Sequence, residues 1–221
     1  MTDSRTSLPR AQRGGRSDGT ARAVWLLAVL ACLSVGPTVR LSGAQDSLPI
    51  GFGTLKRDDI VVRLATDQVE IQVLPLDEQV IRLLLPDTYR SLSDLITSKR
   101  APLDDAAQRA GVRHPTLVMV TFYGLVPQAR FAPEDINLTS RGRLFRPVGI
   151  VPLSPSWNGQ QLEARQQAVA LYLFDEGITF REPLTVSYAG LSNDGWSRGA
   201  MRALERERAR VLARAQARQG P

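Results

Sequence analysis

Between Ile60 and Tyr188 apolar residues fall on alternate positions in short runs, and each run is cut by Gly, Pro, Asn or Asp. A period of two places one side of a run in a core and the other in water, which suits a strand and not a helix. Ile60, Val62 and Leu64 alternate with Val61 and Arg63, and Val69, Ile71 and Val73 alternate with Glu70 and Gln72. The polar break Thr66-Asp67-Gln68 between them predicts a β-hairpin. Leu117 through Tyr123 (LVMVTFY) is apolar on both sides and predicts a central strand covered on both faces. Val169, Leu171 and Leu173 make another strong strand, and Leu184, Val186 and Tyr188 close the series. Pro147 and Pro152 confine residues 144–153 to edges or bends, because proline cannot donate to a ladder. The expected fold is mainly β with α additions: an antiparallel β-sandwich over residues 58–196.

Two stretches break the period. From Asp77 the apolar residues Val80, Ile81, Leu84 and Leu85, then Leu92, Leu95 and Ile96, fall three and four apart around Pro86. With a third short segment from Asp104 to Gly111, they predict a helical insertion over 77–111. Residues 197–221 predict a C-terminal helix in which Met201, Leu204, Val211, Leu212 and Ala215 form a narrow apolar seam. Residues 45–57, with Pro49, Gly51 and Gly53, predict a linker.

The chain has a formal net charge of +6, which would point to nucleic acid if it were spread over the fold. It is not. Residues 1–44 carry six Arg against Asp3 and Asp18, and the tail from Ser197 carries seven Arg against Glu205 and Glu207, so the body between them is mildly acidic. A nucleic-acid partner is therefore not expected.

Residues 1–44 read as an export signal: Arg10, Arg13, Arg16 and Arg22 precede an apolar run from Ala23 to Leu33, and Ser42-Gly43-Ala44 offers a small-residue exit. The expected address is the periplasm, the outer surface or the medium. Cys32, the sole cysteine, stands behind Val29-Leu30-Ala31, which resembles the lipobox of bacterial lipoproteins and implies lipidation there, although Leu30 departs from the usual small residue. Cleavage after Ala44, lipidation at Cys32 and an uncleaved anchor remain the three alternatives. None of them leaves a disulfide in the mature domain.

Several segments together carry a wider resemblance. The buried LVMVTFY strand is followed by Phe131-Ala132-Pro133-Glu134-Asp135, by a G-R-L-F-R-P stretch, by the Trp157-Asn158-Gly159 loop and by strands ending in Phe174-Asp175 and L-T-V-S-Y. This pattern, over about residues 115–190, resembles the small immunoglobulin-like sandwich domains of bacterial exported lipoproteins and secreted antigens. The resemblance implies an accessory or binding module and carries no catalytic residue.

The residue constellations give little chemistry. A zinc site needs several His or Cys, and His114 is the only histidine. Gly190-Leu191-Ser192-Asn193-Asp194-Gly195 is one residue too long for a nucleophile elbow. The acidic pairs Asp58-Asp59, Asp104-Asp105, Glu134-Asp135 and Asp175-Glu176 stand at turn and cap positions. No cofactor or metal is expected. Trp157 and Trp196 sit in Asn/Gly-rich loops, where they either cover the open end of the core or offer a platform to a ligand or partner. Arg202, Arg206, Arg210, Arg214 and Arg218 recur every four residues and predict a cationic ridge on a solvated helix, suited to an anionic membrane surface or an envelope protein. The expected function is a non-enzymatic exported binding or accessory module. The alternative is a carbohydrate-active enzyme or sugar-binding domain that uses loop carboxylates with Trp157 or Trp196.

Overall fold

The alternating runs fold as antiparallel sheets, and the computed structural model of the protein describes residues 48–219. The export-signal segment and Cys32 lie outside the described residues. The hairpin of β1 (Val62–Ala65) and β2 (Val69–Pro75) pairs Leu64 with Ile71 across a turn in which the Thr66 hydroxyl accepts from the amides of Gln68 and Val69. Three helices follow: α1 (Glu78–Ile81), α2 (Pro86–Ser98) and α3 (Arg100–Ala110). Asp77 caps α1 by accepting from the Gln79 amide at 2.9 Å. Pro86 opens α2 at the first turn, where its missing N–H costs nothing. Gly111, at φ 71°, ends α3 in the left-handed conformation. The helical insertion lies where the sequence places it, except that its third helix starts at Arg100 rather than Asp104.

Then come β3 (Thr116–Gly124), β4 (Ala129–Arg130), β5 (Asn137–Ser140), β6 (Arg143–Phe145), β7 (Pro147–Pro152) and β8 (Gln161–Leu162). They are followed by β9 (Gln167–Phe174), β10 (Leu184–Tyr188) and β11 (Leu191–Asn193). A π-helical turn, Trp196–Ala200, leads into α4 (Met201–Gln219). One sheet has the order β1-β2-β3-β9-β7, and a second runs β11-β10-β5-β6. The central place of β3 explains its two apolar faces. Val120 stands opposite Val73 on one side and Ala170 on the other, and all three point into the space between the sheets. There Phe122 meets Tyr188 of the second sheet at 5.7 Å between ring centroids. The other face of this sheet is covered near β7 and β9 by α3, and a Cβ on Gly149 would press on Ala106 and Leu173. β7, the proline-bounded strand, is the sheet's edge. At the other edge the Asn193 side chain donates to the Arg63 carbonyl at 2.6 Å and ties β11 to β1. Among the described residues the fold is therefore mainly β, two larger antiparallel sheets in a sandwich-like arrangement with a small two-stranded sheet of β4 and β8 and a C-terminal helix.

The linker expected at 45–57 is corrected from Leu48 onward. Leu48 is buried, Leu55 forms a parallel bridge to Leu84, and Gly53 is pressed so close to the Leu83 and Leu84 carbonyls that a side chain would overlap them. The glycine that reads as flexibility is there for close approach.

Candidate functional site

Trp157 and Trp196 offer no platform. Trp157 is buried and meets Phe131 at 5.5 Å and Tyr172 at 5.9 Å, both edge-on. Trp196 is fully buried, edge-on to Phe180 at 5.6 Å. Their Asn/Gly-rich loops fold the rings inward because the open end of a sandwich needs large apolar plugs, and each ring removes far more apolar surface from water than a turn residue does. The sugar-platform expectation is corrected accordingly.

In three of the four acidic pairs, Asp58-Asp59, Asp104-Asp105 and Asp175-Glu176, the carboxylates fasten the structure around them. Asp59 accepts from the Lys56 amide at 2.7 Å, and Asp58 pairs with Arg63 at 2.6 Å. Asp105 pairs with Arg109 at 2.9 Å, Asp175 with Arg143 at 3.1 Å, and Glu176 accepts from the His114 amide at 3.0 Å. Burial pushes the Tyr172 phenol well above its ordinary range, and its hydroxyl donates to the Pro133 carbonyl at 2.9 Å. Among the described residues no group of three or more His, Cys, Asp or Glu is arranged to hold a metal ion.

The cationic helix is the remaining candidate, and its inner side is not solvated. Leu204, Glu207, Val211 and Ala215 are buried, spaced so that they share one side of α4. Residues three and four apart on a helix superpose, so even an alanine there closes against the body. Glu207 is 1% exposed. Its Oε1 accepts from the Thr54 amide at 2.9 Å, the Thr54 hydroxyl at 2.8 Å and Arg214 Nη2 at 2.8 Å. Burial pushes this carboxyl up, but the Thr54 hydrogen bonds and the Arg214 charge outweigh it and leave it below its ordinary value.

The ridge is thereby corrected from five arginines to fewer. Arg214 also donates to the Phe52 carbonyl, and Arg218 lies over the Phe52 ring with 5.2 Å to its centroid. Arg214 turns toward the body, while Arg218 stays exposed as it covers that ring. Arg210 keeps an exposed side chain, 3.8 Å from Glu207 Oε2. Arg202, Arg206 and Arg210 share the outward side, all exposed. Their four-residue spacing sets successive charges about 6 Å apart along the axis. The seam also turns: Leu212, one residue past Val211, points away from the body and is 44% exposed. No signal in the sequence pointed to Thr54 or Phe52, because their partners lie more than 150 positions away.

At its start α4 borders a groove of about 690 Å³ shared with α1 and the loop after β9. Val80, Leu83, Phe180 and Leu204 are its buried apolar lining, with Met201 half-buried beside them. Among the described residues no helix is long and apolar enough to cross a membrane. No protein-family model, curated protein or solved structure matches the chain.

Proposed function

We propose that the protein is a non-enzymatic exported module of the envelope, an immunoglobulin-like sandwich that rests the outward side of α4 on an anionic surface. One observation carries the reading: α4 is locked to the body through Glu207 and Arg214, so Arg202, Arg206 and Arg210 are presented on a rigid rod. A preorganised row of charges loses little freedom on binding. The export signal expected at residues 1–44 supplies the address. The inward Trp157 and Trp196 rings and the carboxylates already held by arginines and amides speak for a binding module over a carbohydrate-active enzyme.

The test is co-sedimentation with vesicles containing anionic lipid against purely zwitterionic ones. Each arginine near such a surface contributes about 1 kcal/mol, so replacing Arg202, Arg206 and Arg210 by Ser should weaken binding roughly 100-fold. Added salt should weaken the parent in the same direction as it shortens the Debye length from about 10 Å at 0.1 M to about 3 Å at 1 M. Equal binding to both vesicle types, or by the triple variant, overturns the reading.

A further inference from the structure

Just before Phe52 the chain makes a turn that holds an apolar side chain in water. Ile50 is 54% exposed, more than any other large apolar residue among those described. The turn is fixed at both ends. Upstream, Leu48 is buried and its carbonyl accepts from Arg82 Nη1 at 2.7 Å. Downstream, the Phe52 carbonyl accepts from Arg214 and the Phe52 ring lies under Arg218. Between these points Pro49 fixes its own φ, and Gly51, at φ 89°, takes a left-handed turn that a side chain would resist. A side chain presented on such a framework loses little freedom when it enters another phase.

The charge around this tip has one sign. Residues 48–57 include Lys56 and Arg57 and no carboxylate, and residues 208–219 include arginines and no carboxylate. Glu207, the acid that adjoins them, is buried between Thr54 and Arg214. Asp58 and Asp59, next along the chain, are engaged by Arg63 and by the Lys56 amide. Arg206, Arg210, Arg214 and Arg218 follow one another by four residues, a stripe that drifts about 40° round the helix per step. It ends at Phe52, and Ile50 lies two residues from there, at most about 7 Å of chain.

We infer, on the footing of the cationic reading of α4, that the anionic surface is a lipid bilayer. The Ile50 turn inserts between its headgroups while Arg206, Arg210 and Arg218 engage the phosphates. A patch of one charge sign finds a complement on any anionic surface, but an apolar tip set among arginines matches hydrocarbon lying directly beneath a layer of negative groups. That is the arrangement of a lipid interface. An acidic protein face or a polyanion offers the charges without that depth. Arg218, exposed above the Phe52 ring, suits the same interface, with its stem toward the apolar side and its guanidinium outward. The chain also enters the described fold here, at Leu48. Two of the three alternatives for residues 1–44, lipidation at Cys32 and an uncleaved anchor, place a membrane upstream of that point.

The test uses the full chain with three supports: vesicles of equal parts phosphatidylglycerol and phosphatidylcholine, vesicles of phosphatidylcholine alone, and phosphocellulose beads, which carry phosphate without hydrocarbon. Ile50→Ser should bind the anionic vesicles about tenfold more weakly than the parent, the loss expected when roughly two methylene groups leave hydrocarbon. It should bind the beads as the parent does. Ile50→Trp should keep anionic-vesicle binding, and its added fluorescence should be quenched by bromine on the acyl chains, with the parent as the blank and no quenching in phosphatidylcholine. Circular dichroism checks that both variants fold, and the tryptophan variant reads insertion independently of the serine one. Equal vesicle binding by Ile50→Ser and the parent, an equal loss on beads and vesicles, or an Ile50→Trp signal that bromine leaves unquenched overturns the inference while the cationic reading of α4 stands. A parent held by the beads alone assigns the arginines to an acidic macromolecule and overturns the inference. A parent held by neither beads nor anionic vesicles overturns the reading of α4 as well.

Discussion

Thr54 and Glu207, 153 residues apart, meet through a single carboxylate oxygen that accepts both the amide and the hydroxyl of the threonine. The segment around Thr54 and helix α4 are thereby one structural unit, with Arg214 as the third member. Replacing Glu207 by Ala strips acceptors from three donors, one of them charged. Hydrogen bonds to charged groups are worth about 1.5–3 kcal/mol. The variant should melt roughly 5–10 °C below the parent, at about 2–4 °C per kcal/mol for a chain of this size. Differential scanning calorimetry reads this directly.

The same carboxyl sets a pH dependence. In the folded protein its pKa lies below the ordinary 4.5, so folding favours the ionised form. The stability this adds is complete above the unfolded value and is lost as pH falls through the folded one. Stability of the parent minus that of Glu207→Gln should stay constant above about pH 5.5 and shrink below pH 4.5, in a urea titration at each pH. A difference that grows on acidification would mean that the folded carboxyl prefers its proton.

Truncation after Ala200 should leave no domain with the parent's stability. It exposes the surfaces under Leu204 and Val211, each worth about 1.5–3 kcal/mol when buried, and leaves Thr54 without its acceptor. Against a total of about 5–15 kcal/mol, the expected outcome is a melting temperature lower by ten degrees or more, or no cooperative transition. A solvated tail would have left melting unchanged.

Both layers of the main sheet can be probed. Val120 and Leu171 are fully buried, the first between the sheets and the second on the opposite face of its own strand pair. An unpaired charge at either site costs several kcal/mol, so Val120→Asp and Leu171→Asp should both fail to fold at 37 °C, as judged by near-ultraviolet circular dichroism.

Trp157→Ala should lower stability by about 3–5 kcal/mol, as for other buried aromatics. Its ring fills space among Phe122, Phe131 and Tyr172. A platform residue would instead show unchanged denaturant melting and lost ligand binding.

The strands were legible because a period of two is a local property: Ile71, Val120 and Leu171 announce their burial through their neighbours. So were the helical insertion and its proline and glycine boundaries. Tertiary partnership was not. Gly53 and Leu48 read as linker because their partners lie some thirty positions away: the Leu83 and Leu84 carbonyls press on Gly53, and the Leu48 carbonyl accepts from Arg82. Glu207 carries the same sequence signature as the exposed Glu205, and only Thr54 turns it inward. Arg214 and Arg218 follow the spacing of Arg202 and Arg206, but Phe52 draws them off the ridge. The candidate site was thus legible as a helix with outward charge, while its rigidity came from contacts no local pattern encodes.

The seat of residues 48–56 has a kinetic meaning. Part of it is α4, whose Glu207 stands 153 positions after Thr54, so residues 48–56 lack a complete seat until that helix has docked. Closing a loop of that length comes late and slows folding. A polypeptide arranged this way forms its local hairpins first and closes this lock afterwards.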